Sequence, residues 1–145
     1  MKKIILPLKI RLIEDDGCHI TLCAEINGKN AELLVDTGAS RTVFDLERIK
    51  AFVSASDFKP HHKLSTGLGT NSMETQAVMI ESLTLGELLI SNHEAILLDL
   101  RHVNESYSQL ELPEIDGVIG SDILLAHKAI IDFAKRKITF YIEQD

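Results

Sequence analysis

One aspartate of this chain comes directly after a run of apolar residues and directly before a threonine and a glycine. The segment is LLVDTGAS, residues 33–40, and its aspartate is Asp36. Consecutive apolar residues are typical of a buried β-strand, and the Thr-Gly turn then exposes one carboxylate at the end of that strand. A carboxylate held by a rigid strand can serve a substrate as a general acid or base. The sequence therefore makes Asp36 the first candidate for a catalytic residue.

A second segment, IDGVIGSDIL at residues 115–124, combines a short apolar strand with the start of a helix. The strand is the Val-Ile pair at 118–119, and the glycines on both sides of it allow another backbone to approach closely. We expect the helix to begin after Gly120, with Ser121 or Asp122 as its N-cap.

Together, the two segments resemble the retropepsin-like aspartic proteases, the single-domain relatives of the retroviral proteases. In that family an apolar strand with an Asp-Thr/Ser-Gly-Ala loop is paired with a later apolar-apolar-Gly element that leads into a helix. The resemblance covers roughly residues 20–142 of this sequence. It implies an all-β fold, a closed acid-protease-type barrel of short, mostly antiparallel strands with one short C-terminal helix. The many short strands separated by turns also indicate a barrel-like all-β fold.

The resemblance implies an aspartic endopeptidase, and that chemistry needs two carboxylates. In aspartic proteases two carboxylates about 3 Å apart share one proton, because like charges that close cannot both ionise. This sequence contains one Asp-Thr-Gly. The resemblance therefore implies a homodimer in which Asp36 of each chain supplies one carboxylate. Two alternatives stay open: a non-catalytic dimerising or peptide-binding module with the same fold, and a monomer that never assembles the pair.

The resemblance also assigns roles around Asp36. Thr37 would hydrogen-bond to the partner loop, and Gly38 would present its backbone to the substrate. The glycine-rich segment 66–71 stands where the family has a flap that closes over the substrate, and an ordinary hairpin loop is the alternative. The retroviral members pair an acidic residue with an arginine at the positions where this sequence has serines 40 and 121. The residues expected to contact substrate are Ala39, Ser40, Val43, Gly67, Leu68, Gly69 and Ile119.

Composition limits the other functional classes. The length of 145 residues predicts one domain, 1–145, and the net charge of −7 disfavours a nucleic acid as partner. Cys18 and Cys23 lie on opposite faces of one expected strand, so we expect reduced thiols. No apolar stretch could span a bilayer or act as a secretory signal, so we expect a cytoplasmic protein. The resemblance implies no metal and no organic cofactor, and the expected partners are a second copy and an extended peptide or protein substrate.

Apolar periodicity and turn signals predict the elements that must position these residues. The Asn27-Gly28 pair indicates a tight hairpin turn. We expect one helix, over residues 121–127, and an irregular structure for the polar stretch 101–114. The expected strands span residues 4–13, 18–26, 31–36, 42–44, 75–85, 88–90, 94–100, 129–133 and 138–142.

Overall fold

A computed structural model describes residues 1–61 and 75–143, and β-strands are its main element. The strands are β1 (Lys2–Pro7), β2 (Lys9–Leu12), β3 (Cys18–Ile26), β4 (Lys29–Val35), β5 (Val43–Asp45), β6 (Lys59–His61), β7 (Thr75–Leu85), β8 (Leu88–Leu98), β9 (Gly117–Ile119), β10 (Ile130–Asp132) and β11 (Lys137–Ile142). The helices are α1 (Arg101–Gln109) and α2 (Ser121–Ala126), and short 3-10 turns span Arg48–Ala51 and Ala55–Asp57. Neither helix of this described part is long and apolar enough to cross a membrane.

Six strands close into a barrel in the order β3, β4, β9, β5, β8 and β7, and the pairing of β7 with β3 completes the ring. One edge of β3 serves two neighbours, because its first half pairs with β2 and its end, at Glu25 and Ile26, pairs with β7. The pairs β4–β9 and β5–β8 are parallel, and the other pairs of the ring are antiparallel. The expected closed, mostly antiparallel barrel is confirmed.

The hairpin between β3 and β4 confirms another local prediction. Asn27 and Gly28 both have positive φ angles, 48° and 82°, as a tight hairpin turn requires. This turn sets β4 beside β3 in a register that pairs Leu33 with Leu22 and Leu34 with Thr21. The short turn thereby fixes the path of the strand that leads to Asp36.

Strand β9 lies between β4 and β5, parallel to the first and antiparallel to the second. Because β4 and β5 are consecutive in the chain, the segment 36–42 that joins them must pass over the end of β9. This crossing brings the two sequence segments that resemble the protease family into contact.

The apolar end of β4, residues 33–35, and the whole of β9 are covered on both faces, and this explains their consecutive apolar residues. Leu33 and Ile119 pack in the barrel interior. Leu34 and Val118 belong to a second cluster on the outer face, where Tyr107 of α1 covers them. The strand that carries Asp36 is therefore held between the barrel core and a helix.

Helix α1 occupies part of the stretch that was expected to be irregular, so that prediction is wrong. The Asn104 side chain binds the backbone of Ile115 twice. Its Nδ2 donates to the carbonyl oxygen of Ile115 over 3.0 Å, and its Oδ1 accepts from the N–H of Ile115 over 2.7 Å. The Tyr107 hydroxyl lies 2.7 Å from His19 Nδ1, and the Arg11 guanidinium lies 4.5 Å from the Tyr107 ring centroid. These tertiary contacts, with little apolar burial, hold the helix against the barrel.

The two ends of the described chain meet in a separate three-stranded sheet with the order β1, β11, β10. The apolar run 4–13 was expected to be one strand, but the chain changes sheets at Pro7, after which β2 pairs with β3. Ile138 and Phe140 of β11 are fully buried and join the main core. The terminal sheet is thus packed on the barrel that carries the candidate site.

Candidate active site

Asp36 is the first residue after β4, and it is exposed. Its backbone N–H donates to the carbonyl oxygen of Ile119 over 3.0 Å, which extends the β4–β9 pairing by one residue. The N–H of Gly38 donates to Asp36 Oδ1 over 2.9 Å, and the N–H of Ala39 donates to the Asp36 carbonyl over 3.2 Å. Within residues 1–61 and 75–143, Oδ2 accepts no hydrogen bond. That oxygen is available to a water molecule or to a second carboxyl group.

We call residues 36–42 the Asp36 loop and residues 119–122, where β9 ends and α2 begins, the β9–α2 junction. The junction holds the start of the loop through Ile119, as described above. It also holds the middle, because the N–H of Ser121 donates to the carbonyl oxygen of Ala39 over 2.7 Å.

The end of the Asp36 loop is the most firmly bound part. Thr42 is 1% exposed. Its N–H donates to Asp122 Oδ2 over 3.0 Å, and its hydroxyl donates to Asp122 Oδ1 over 2.7 Å. The same hydroxyl oxygen accepts from the N–H of Gly120 over 3.0 Å. Every polar group of Thr42 except its carbonyl is therefore satisfied by the β9–α2 junction.

The glycines on either side of the Val-Ile strand allow the close backbone approach that the sequence predicts. A Cβ atom on Gly117 would lie 2.6 Å from the carbonyl oxygen of Val43. A Cβ atom on Gly120 would lie 2.7 Å from both the carbonyl carbon and the carbonyl oxygen of Arg41. Both distances are shorter than a real side chain allows, so this prediction is confirmed.

Asp122 does not cap α2, contrary to the expectation for Ser121 or Asp122. The N-cap is Gly120, and no side chain caps the helix. The carboxylate of Asp122 instead receives the two bonds from Thr42 and a third from its neighbour's N–H, at Ile123, over 2.9 Å. Burial alone would raise the pKa of Asp122, but the hydrogen bonds from Thr42 and Ile123 outweigh burial and lower it below the ordinary value.

A half-buried histidine, His93 of β8, packs against Phe44 of β5. Its ring meets the Phe44 ring edge to face, with centroids 6.3 Å apart. Its Nε2 is buried and has no hydrogen-bond partner within the described part of the chain. Burial lowers the pKa of His93 below its ordinary value of 6.5; the charge of Arg41 acts in the same direction, while Asp122 and Glu94 oppose it.

The lowered pKa of His93 predicts a loss of stability on mild acidification. The unfolded chain takes up a proton at His93 before the folded protein does, so the stabilisation is complete above pH 6.5 and declines as the pH falls below it. One such group contributes a slope of at most about 1.4 kcal/mol per pH unit. Urea unfolding from pH 7.5 to 5 measures this slope, and we expect His93→Phe to flatten it. His102→Phe, at an exposed histidine, is the control, and equal slopes in wild type and His93→Phe would contradict the prediction.

The predicted apolar subsite walls divide between two faces of the sheet. Ile119 is fully buried inside the barrel, and it serves the site through its carbonyl oxygen, which accepts from Asp36. Its neighbour Val118 points to the opposite face, beside half-buried Val43 and Ala39. Because side chains alternate along a strand, the Ile119 side chain lies inside the barrel and the Val118 side chain lies on the face that carries Val43 and Ala39.

The other predicted site residues are placed as follows. Thr37, Gly38 and Ser40 are exposed in the Asp36 loop, and Ser121 binds that loop through its backbone. Gly67, Leu68 and Gly69, and with them the predicted flap, lie outside the described residues. Within the described residues, no group of three or more His, Cys, Asp or Glu side chains is arranged to hold a metal ion.

Sequence reasoning missed Thr42 as part of the site. It lies in the expected strand 42–44, and nothing local marks it, because its partner Asp122 is 80 residues away in the chain. The available signal was a hydroxyl residue at the end of the candidate loop and a carboxylate just after the second glycine. Only the crossing of the loop over β9 brings the two together.

A family model described as aspartyl protease matches residues 22–123, more than half of the chain. The chain belongs to the aspartyl protease family. The matched region begins in β3 and ends in α2, so it contains the Asp36 loop and the β9–α2 junction. A comparison with curated proteins gives no match.

Solved structures place this member of the aspartyl protease family in the retropepsin-like fold. It is similar to a retropepsin-like aspartic protease from Rickettsia conorii, with a TM-score of 0.60 and 20% identity over 97% of this chain and 91% of that one. It is also similar to the retroviral protease-like domain of Ddi1 from Leishmania major, with a TM-score of 0.55 and 16% identity over 83% of this chain and 86% of that domain. The resemblance and the fold class inferred from the sequence are confirmed.

Proposed function

We propose that this protein is an aspartic endopeptidase that hydrolyses peptide bonds with a water molecule held between the Asp36 carboxyl groups of two identical chains. The observation that carries the proposal is the exposed Asp36 carboxylate, fixed at the end of β4 by a loop with anchors at its start, middle and end. Folding alone gives no reason to hold an exposed carboxylate this firmly. A single Asp-Thr-Gly in the sequence requires the second carboxyl group to come from a second copy.

In the proposed mechanism the pair starts with one proton. The ionised Asp36 takes a proton from water while the water oxygen bonds to the peptide carbonyl carbon, and the protonated Asp36 gives its proton to the carbonyl oxygen. The resulting tetrahedral diol collapses as the C–N bond breaks. The leaving nitrogen receives the proton that came from water, and the other carboxylate regains one from a diol hydroxyl. The pair ends with one proton, as it began.

The surface next to Asp36 supports an extended peptide with apolar side chains as the substrate. Leu34, Ala39 and Val43 are half-buried and belong to the cluster on the outer face of β4 and β9. An apolar side chain of a substrate would remove more of this surface from water, which favours binding in proportion to the area covered. Thr37 is proposed to bond to the partner loop, and Gly38 to offer its backbone to the peptide.

The second candidate is a dimerising or peptide-binding module without catalysis. It is favoured by the same apolar face, which could bind a peptide without cleaving it. The two functions differ in whether a peptide leaves the site intact.

Digestion of a diverse peptide pool between pH 4 and 7, read by mass spectrometry, tests the proposed function. We expect internal cleavages in the wild type that disappear in Asp36→Asn and persist in Asp16→Asn, a control at an exposed turn aspartate. Cleavages that survive in Asp36→Asn would exclude the proposed chemistry. Peptide binding without any cleavage by the wild type would favour the non-catalytic module.

A further inference from the structure

The end of the Asp36 loop depends on one ionisable side chain. Among the described residues, Asp122 is the only member of the β9–α2 junction whose side chain binds the loop; the other contacts from the junction use backbone groups. Backbone contacts survive most substitutions, but the two bonds that Thr42 donates to Asp122 need an acceptor side chain at this position. A substitution of Asp122 therefore removes this contact directly.

Thr42 is the residue through which the Asp36 loop is joined to the β9–α2 junction. Its hydroxyl accepts from Gly120 and donates to Asp122, and its N–H also donates to Asp122. Because Thr42 is buried, removal of Asp122 leaves both its N–H and its O–H without an acceptor from the protein, and only water could take its place. Bonds to an ionised acceptor are also stronger than bonds between neutral groups. The loop would therefore relax at this end first.

We propose that Asp122 is a positioning residue of the active site: through its two hydrogen bonds to Thr42 it holds the end of the Asp36 loop and thereby fixes the placement of the Asp36 carboxylate. The inference rests on the proposed function, since it assigns a role within the same site. Asp122 does not reach the reacting atoms in this scheme. It acts through Thr42 and the five residues, 37–41, that separate Thr42 from Asp36.

A double-mutant cycle in kcat tests the proposal. We expect Asp122→Ala and Thr42→Val each to lower kcat roughly 10- to 100-fold with KM little changed, because a small misplacement of a catalytic group is costly. The double variant is expected to be no slower than the slower single variant, since both remove the same contact. Thr42→Ser keeps the hydroxyl and the N–H in place and is expected to stay within about threefold of wild type. Asp122→Asn keeps one acceptor oxygen but turns an NH2 donor toward a donor of Thr42 or Ile123, so we expect its kcat to lie between those of wild type and Asp122→Ala. Asp132→Ala is the matched control, because Asp132 also accepts a backbone N–H, from Lys135, but in the distant β10–β11 turn.

Amide hydrogen exchange gives a second readout that does not need catalysis. We expect the N–H of Thr42 to exchange faster in Asp122→Ala, the N–H of Gly120 to exchange faster in Thr42→Val, and the N–H of Asp36 to exchange faster in both. Thermal unfolding identifies any variant that fails to fold, and Asp122→Asn, which removes only part of the contact, then stands in for Asp122→Ala.

The two proposals can fail separately. If the wild type shows no cleavage that depends on Asp36, the proposed function is wrong, and the exchange at Asp36 still decides whether Asp122 holds the loop. If the protein cleaves peptides but Asp122→Ala and Thr42→Val keep wild-type kcat, the positioning role is overturned. Additive losses in the double variant, or faster exchange at Thr42 without a change at Asp36, would also overturn it.

Discussion

Replacing Asp36 with asparagine is expected to lower kcat/KM for a cleavable peptide at least about 10³-fold, because both carboxyl groups of the pair are lost in the variant dimer and acid–base catalysis contributes roughly 10²- to 10⁴-fold. The fold should be unaffected. Asp36 is exposed, and an asparagine oxygen at the same place can still accept the N–H of Gly38. Progress curves with one peptide, together with circular dichroism and the solution mass of each variant, measure the effect.

Mixtures of wild-type and Asp36→Asn chains show whether the two chains share one site. When equal amounts are unfolded and refolded together, random pairing gives about one quarter wild-type dimers and about one half mixed dimers. If each site needs both Asp36 carboxyl groups, the mixture keeps about one quarter of the activity of an all-wild-type sample with the same number of chains. If each chain acts alone, it keeps about one half. The second result would contradict the shared pair, and a solution mass of 16.1 kDa for the active species would contradict the dimer.

Local sequence was sufficient for the parts of the fold whose causes are local. The Asn27-Gly28 turn follows from the positive φ angles that these two residue types tolerate. The strands over 18–26 and 75–85 follow from their apolar runs and flanking turns, and the structure has strands with those bounds. The close approach at Gly117 and Gly120 follows from the absence of a side chain.

Helix α1 was missed because its buried residues do not form an apolar pattern. The two positions that face the protein are Asn104 and Tyr107, and one of them is an amide. Asn104 is buried because it binds the backbone of Ile115, a partner that periodicity cannot identify. Hydrophobic periodicity detects a helix only when burial is apolar, so a helix held by polar tertiary contacts reads as a loop.

The candidate site was predicted where it is contiguous in sequence and missed where it is not. Alternation along β9 puts neighbouring side chains on opposite faces, but it does not say which face is the barrel interior. The sequence could therefore not show that the Ile119 side chain lies inside the barrel. Likewise, an acidic residue in the first turn of a helix is usually explained by the helix itself, so Asp122 gave no sign of its bond to Thr42.

The Gly120→Ala variant is expected to damage activity much more than its small size suggests. Gly120 has a φ of −99°, which any residue can adopt, so the requirement for glycine comes from space and not from backbone conformation. The added Cβ would lie 2.7 Å from the Arg41 carbonyl group and 2.8 Å from the Ala39 carbonyl oxygen. Both contacts are with backbone of the Asp36 loop, which cannot rotate away as a side chain could. The loop itself must move.

We expect this movement to lower kcat about 100-fold, since displacement of a catalytic group by about 1 Å has that order of effect. We expect the free energy of unfolding to fall by about 1–3 kcal/mol, the usual cost of an overpacked site. Gly17→Ala is the control with the opposite cause: Gly17 has a φ of 96° and nothing within 4 Å of an added Cβ. That variant should lose about 1 kcal/mol through backbone strain and keep its kcat. Urea unfolding and steady-state kinetics on both variants separate the two causes, and a Gly120→Ala protein with wild-type kcat would mean that the Asp36 loop does not need its contact with the β9–α2 junction.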